Sequence, residues 1–113
     1  MGEAIAPIFR VSNAIESARW YQRLGFAVVG EHRFAPDLPL FLFLKRGEVD
    51  LYLSEHKGDA PKRSLAYLWV DDIVAVAGEF DLDIHEEPWG REVTLVDPDG
   101  NRIRVATPID PVI

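Results

Sequence analysis

Apolar and polar residues alternate along most of this chain, and two helical stretches interrupt the alternation. In Leu40-Phe41-Leu42-Phe43-Leu44-Lys45, the leucines fall on one face and Phe41, Phe43 and Lys45 on the other, the two-residue period of a strand. In Leu65-Ala66-Tyr67-Leu68-Trp69-Val70, Leu65, Tyr67 and Trp69 oppose Ala66, Leu68 and Val70. The aliphatic faces suit packing beneath helices, and the aromatic faces suit the lining of a concave surface. A different period appears at Ala14, Ala18, Tyr21 and Leu24, which give one apolar helical face. Asn13 followed by Glu16 resembles a capping box, and Gly25 ends the helix.

Strands are expected at 5–11, 27–33, 40–46 and 49–55, with Gly47 turning the last hairpin and a helix at 14–24. After a polar loop at 56–63 the grammar repeats: a strand at 65–70, a helix at 73–80, then strands at 85–88, 92–96 and 102–106. Asp97-Pro98-Asp99-Gly100 supplies the turn before the last strand. Val11 corresponds to Val70, Asn13 to Asp72 and Tyr21 to Phe80. The chain therefore reads as βαβββ twice, an α+β fold with modules at about 1–56 and 64–113. Neither half can bury both faces of its sheet alone, so a single domain over 1–113 is expected.

Composition narrows the chemistry. The chain lacks cysteine, which removes disulfides, thiolate metal sites and cysteine nucleophiles. Its net charge of −7 opposes binding to phosphate backbones, so no nucleic-acid partner is expected. The apolar run at 38–44 is short and contains Pro39, so no membrane span is expected. The first residues, Met-Gly-Glu-Ala-Ile-Ala, lack the pattern of a secretory signal, and a cytoplasmic location is the expectation. His85 and Glu87 share a strand face, but nothing in the sequence completes a ligand set with them. Asp97-x-Asp99-x-Asn101 imitates a calcium loop, yet Arg102 and Pro108 stand where that loop needs Gly and Glu. No nucleophile elbow or phosphate-binding glycine loop occurs.

Three motifs together carry a family resemblance: Trp20-Tyr21-Gln22-Arg23-Leu24-Gly25-Phe26, Leu68-Trp69-Val70-Asp71-Asp72, and Gly90-Arg91-Glu92 followed by Val96-Asp97-Pro98-Asp99-Gly100-Asn101. With them the chain resembles the vicinal-oxygen-chelate superfamily of glyoxalase I, extradiol dioxygenases and bleomycin resistance proteins. The resemblance implies paired βαβββ modules whose sheets curl into a cup. In the superfamily's enzymes the cup holds a divalent metal, and the corresponding slots here are Ala6, Tyr52, Leu65 and Arg104. Ala and Leu cannot ligate, Arg is a permanent cation and Tyr is a poor ligand. The implied cofactor is therefore none, and no catalytic residue is assigned.

The chain looks most like the bleomycin resistance proteins, the branch without the metal. That likeness implies a homodimer which sequesters a small aromatic, cationic, antibiotic-like ligand in a groove between subunits. Pro7, inside the first predicted strand, matches a proline that marks first-strand exchange in that branch. The implied ligand-binding residues are Phe34, Phe41, Phe43, Asp50, Tyr52, Tyr67, Trp69, Trp89 and Arg104. Flat rings stack on a heteroaromatic ligand and attract a cation, and Asp50 adds a negative charge. Arg10 and Arg104 share the cup-facing side and oppose a cation unless Asp50 or Glu92 pairs with them. Two alternatives stay open: a metal-dependent lyase or dioxygenase of the same superfamily, and an interaction module with a vestigial cup.

Overall fold

Asn13 and Asp72 each start a helix by the same local chemistry. The Asn13 side chain accepts the Glu16 N–H at 3.1 Å, and that of Asp72 accepts the Ala75 N–H at 3.1 Å. The helices they open are α1 (Ala14–Arg23) and α2 (Ile73–Phe80). In the computed structural model, which describes residues 2–110, eight strands accompany them. These are β1 (Ile8–Arg10), β2 (Ala27–His32), β3 (Phe41–Arg46), β4 (Val49–Ser54), β5 (Leu65–Trp69), β6 (His85–Glu87), β7 (Gly90–Val96) and β8 (Arg102–Pro108). Met1 and residues 111–113, which the sequence reading included in its two modules, lie outside the described residues.

The strands form two four-stranded sheets of matching order, β1-β4-β3-β2 and β5-β8-β7-β6. In each, the first strand runs parallel to the last and the other pairs are antiparallel. The α+β class and the doubled βαβββ order expected from the alternation are those observed. The first strand is shorter than the predicted 5–11. Pro7 has no N–H to donate and contributes only its carbonyl, to the Tyr52 N–H at 3.0 Å, and the ladder starts at Ile8. β7 begins two residues earlier than expected, because Pro88 and Trp89 form a two-residue turn that pairs Glu87 with Gly90. Gly90 is required there: a Cβ would sit 2.7 Å from the Thr107 carbonyl oxygen of β8.

Two compact units divide the contacts. The first comprises residues up to Ser64 together with Asp97–Asn101. Its core joins Leu40, Leu42, Leu44, Leu51 and Leu53 to Ala14, Ala18, Tyr21 and Leu24 of the helical segment, all buried. Tyr21 is fully enclosed, with the Phe9 and Phe26 rings 6.5 and 6.2 Å away, and its hydroxyl donates to Asp97 Oδ2 at 2.7 Å. Asp97 also accepts the N–H groups of Asp99 and Asn101 and the Asn101 side-chain amide. The second unit comprises, among the described residues, Leu65–Val96 and 102–110, around Leu68, Val70, Ile73, Val76, Val93, Leu95, Ile103 and Val105. Thr107 links β8 to the start of α2, donating to the Val70 carbonyl and accepting the Ile73 N–H, each at 3.0 Å.

Candidate functional site

Alternation decides which rings leave the core. In the first sheet Leu40, Leu42 and Leu44 are buried, so Phe41 and Phe43 face away from them beside Tyr52 of β4. The three rings form one cluster, with Phe41–Phe43, Phe41–Tyr52 and Phe43–Tyr52 centroids 5.1, 5.7 and 4.9 Å apart. Gly30 on β2 makes room for it, since a Cβ there would lie 3.3 Å from the Phe43 ring. Phe34 is 85% exposed and packs edge-on against His32 at 4.5 Å. Phe34, Phe41 and Phe43 line a cleft of about 570 Å³ with His32, Leu38, Pro39, Leu40, Ser54, His56 and Asp59. Such a volume is that of a small-molecule site.

Asp50, which the sequence offers as a partner for a positive charge, has one within the chain. It pairs with Lys45, directly across the hairpin, at 2.7 Å. That hydrogen bond raises the Lys45 ammonium above its ordinary pKa. The acid in the aromatic cleft is instead Asp59, which the sequence reading did not single out. Its Oδ2 accepts the Ser54 hydroxyl at 2.6 Å, while Oδ1 lies 3.8 Å from His56 Nδ1. The polar loop at 56–63 gave no sign of this, because it folds back on β4 through a hydrogen bond that no periodicity encodes.

The second unit carries Tyr67, Trp69, Trp89 and Arg104 as a group. Tyr67 and Trp69 project from β5 with ring centroids 4.8 Å apart. The Trp89 indole N–H donates to the Tyr67 oxygen at 2.8 Å, and the Tyr67 hydroxyl donates in turn to Glu92 Oε1. Arg104 grips the same carboxylate with two bonds, Nε to Oε2 at 2.7 Å and Nη2 to Oε1 at 3.1 Å. Its guanidinium carbon lies 5.2 Å from the Tyr67 ring centre and 5.9 Å from that of Trp89, within cation–π range. Burial opposes ionisation of Glu92, but the bonds from Arg104 and Tyr67 outweigh it and hold the carboxyl below its usual pKa. Burial, reinforced by the bond to Glu92, raises the Tyr67 phenol. Arg104 is thus paired with Glu92, whereas Arg10 reaches the Lys57 carbonyl at 3.5 Å rather than either acid.

The family's metal slots can be tested on strand register. Tyr52 lies opposite Ile8, while Ala6 precedes β1. Arg104 lies opposite Tyr67, and Leu65 lies opposite Arg102. Neither choice on the first strand of a module supplies an imidazole or a carboxylate, and the Arg104 cation occupies a fourth slot. Among the described residues no group of three or more His, Asp or Glu side chains is arranged to hold a metal ion. His85 is exposed, and its neighbour Glu86 pairs with Arg91 at 3.0 Å. Within each unit, the residues at the slot positions do not make a donor set for a divalent metal. Among the described residues, no helix is long and apolar enough to cross a membrane.

Comparison with known proteins places this scaffold. No curated protein sequence matches the chain. Solved structures do. A bleomycin-binding protein complexed with bleomycin is 24% identical with a TM-score of 0.72, over 94% of this chain and 98% of that one. TnmS3, an antibiotic-binding protein from a Streptomyces species, is 20% identical with a TM-score of 0.73, over 96% and 97%. A glyoxalase/bleomycin resistance protein/dioxygenase superfamily member from Sphaerobacter thermophilus is 16% identical with a TM-score of 0.73, over 95% and 98%. At these identities the likeness establishes the fold. The model of the family described as glyoxalase superfamily protein matches residues 1–111. With that match spanning both βαβββ repeats, the chain belongs to the glyoxalase superfamily.

Proposed function

We propose that this protein binds a small aromatic, cationic, antibiotic-like molecule and sequesters it without chemical change. The observation that carries the reading is the aromatic cleft of about 570 Å³, with Phe34, Phe41 and Phe43 on its walls and the Asp59 carboxylate beside them. Rings offer stacking faces to a heteroaromatic ligand, and a carboxylate among them attracts its positive charge. The unsuitable donor set argues for binding without a metal. Tyr67, Trp69 and Trp89 form a second aromatic surface, and Arg104, neutralised by Glu92, does not repel a cation there. Antibiotic-binding proteins of the same fold lend the ligand class, and the reading extends to a homodimer with Pro7 as the hinge of the first strand.

Calorimetric titration with metal-free bleomycin tests the proposal. Saturable binding is expected with a Kd of about 1 μM, equivalent to about −8 kcal/mol. Phe41→Ala is expected to weaken it about tenfold, the loss of one stacked ring. Absence of saturable heat at micromolar protein and ligand would overturn the assignment.

A further inference from the structure

Arg10, Lys62 and Arg63 line one concavity of about 520 Å³ with Val11, Ser12, Pro98, Asp99 and Gly100, within the first unit and apart from the aromatic cleft. In a chain of net charge −7 this is an inversion of local sign. Asp99 is the one acid among the described residues of the lining, and both its oxygens are engaged: Oδ1 accepts the Ser12 N–H at 3.0 Å and Oδ2 the Ser17 hydroxyl at 3.5 Å. Among the described residues none of the three cations forms an ion pair. Arg63 is held there at some cost, because its backbone adopts φ 58°, in the left-handed region that favours glycine. Its side-chain stem lies against Gly100, where an added Cβ would come within 3.2 Å of it.

We infer that this concavity is an anion site for a small phosphate monoester with a polar body. Three cations against one committed carboxylate suit a dianion, and Arg guanidinium groups match phosphate oxygens in pairs. The volume exceeds what a bare oxyanion fills and falls in the range of small-molecule sites, about 300–1,000 Å³. Apart from Val11 and Pro98 the walls are polar or glycine, which favours a sugar-like body over an aromatic one. The acidic surface elsewhere works against long polyanions, so the ligand is a single small molecule rather than a nucleic acid.

Glucose 6-phosphate, glucose and inorganic phosphate serve as probes for calorimetric titration of the full chain at low salt. Saturable binding is expected for glucose 6-phosphate, weaker binding for inorganic phosphate, none for glucose, and a loss of affinity as salt rises. Arg63→Gly retains the backbone conformation and removes the charge. It is expected to keep or raise the thermal midpoint while weakening glucose 6-phosphate about tenfold or more. Lys62→Gln, on the exposed loop, is expected to weaken it in the same direction. Failure of both phosphates to saturate, or equal binding by wild type and Arg63→Gly, would overturn the site. Equal affinity for the two phosphates would overturn the polar body.

Discussion

Glu92 is 5% exposed, yet it stays ionised because Arg104 and Tyr67 saturate its oxygens. Removing the cation alone leaves a buried carboxylate without its counter-charge, whereas removing both leaves an apolar pair. Arg104→Leu is therefore expected to unfold at lower urea than wild type, and the double variant Glu92→Leu/Arg104→Leu to recover part of the loss. The sign of the pH effect follows from the depressed carboxyl. Its stabilisation is complete above the ordinary value of 4.5 and is lost as pH falls through the lower folded value. In Arg104→Leu the carboxyl rises, so acid unfolding is expected to begin at a higher pH than in wild type, as read by circular dichroism. An unchanged acid limb would show that the pair contributes nothing to folding. Glu92 was legible in the sequence only as a partner that Arg104 required. Its place depends on the β7–β8 register, which sets Glu92 against Ala106, one diagonal step from Arg104. No local pattern reports a diagonal across two strands.

Helix starts were the most legible elements, because an N-cap is made by residues three apart. Asn13 and Asp72 each accept one N–H of the first turn. Asn13→Ala and Asp72→Ala are each expected to cost about 1 kcal/mol in urea denaturation, and the glycine variants only a few tenths. Strand faces were legible for the same reason: a period of two set Phe41 and Phe43 opposite the buried leucines. Pairing between strands was not. The register places Ile8 beside Tyr52 and Tyr67 beside Arg104, and these parallel contacts join residues more than thirty positions apart. The commitment of Asp50 to Lys45 was not legible either, although the two face each other across one hairpin. The alternation showed which side each residue takes, and the length of the Gly47 turn decided which residue it meets.

At the scale of the whole molecule, the doubled order of elements emerged from the repeat of Val–polar–helix segments after Val11 and Val70. What could not be read there was the second use of the Asp97-Pro98-Asp99-Gly100 turn. Asp97 accepts the Tyr21 hydroxyl as well as capping its own loop. Burial and the neighbouring Asp97 charge push the Tyr21 phenol far above its ordinary value of 10. The proton therefore stays on Tyr21 in the folded protein and leaves it in the unfolded chain. Stability contributed by this group is full below pH 10 and declines above it, by up to about 1.4 kcal/mol per pH unit. Urea midpoints measured across the alkaline range should fall for wild type, and this component of the slope should be missing in Tyr21→Phe. Identical alkaline slopes for the two proteins would exclude the effect.

The same turn governs the order in which the chain can mature on the ribosome. The Asn101 amide closes onto the Arg10 carbonyl across 91 positions, and its oxygen accepts the Ser64 N–H. The first unit is therefore discontinuous, its last five residues arriving only after all of Leu65–Val96 has been made. Residues up to Ser64 leave the tunnel as an unfinished body, with the phenol at its centre still lacking an acceptor. Nascent-chain folding of this half is therefore expected to wait until Asn101 emerges, and a truncation ending before Asp97 to show no protease-resistant first unit on the ribosome; early resistance would overturn this.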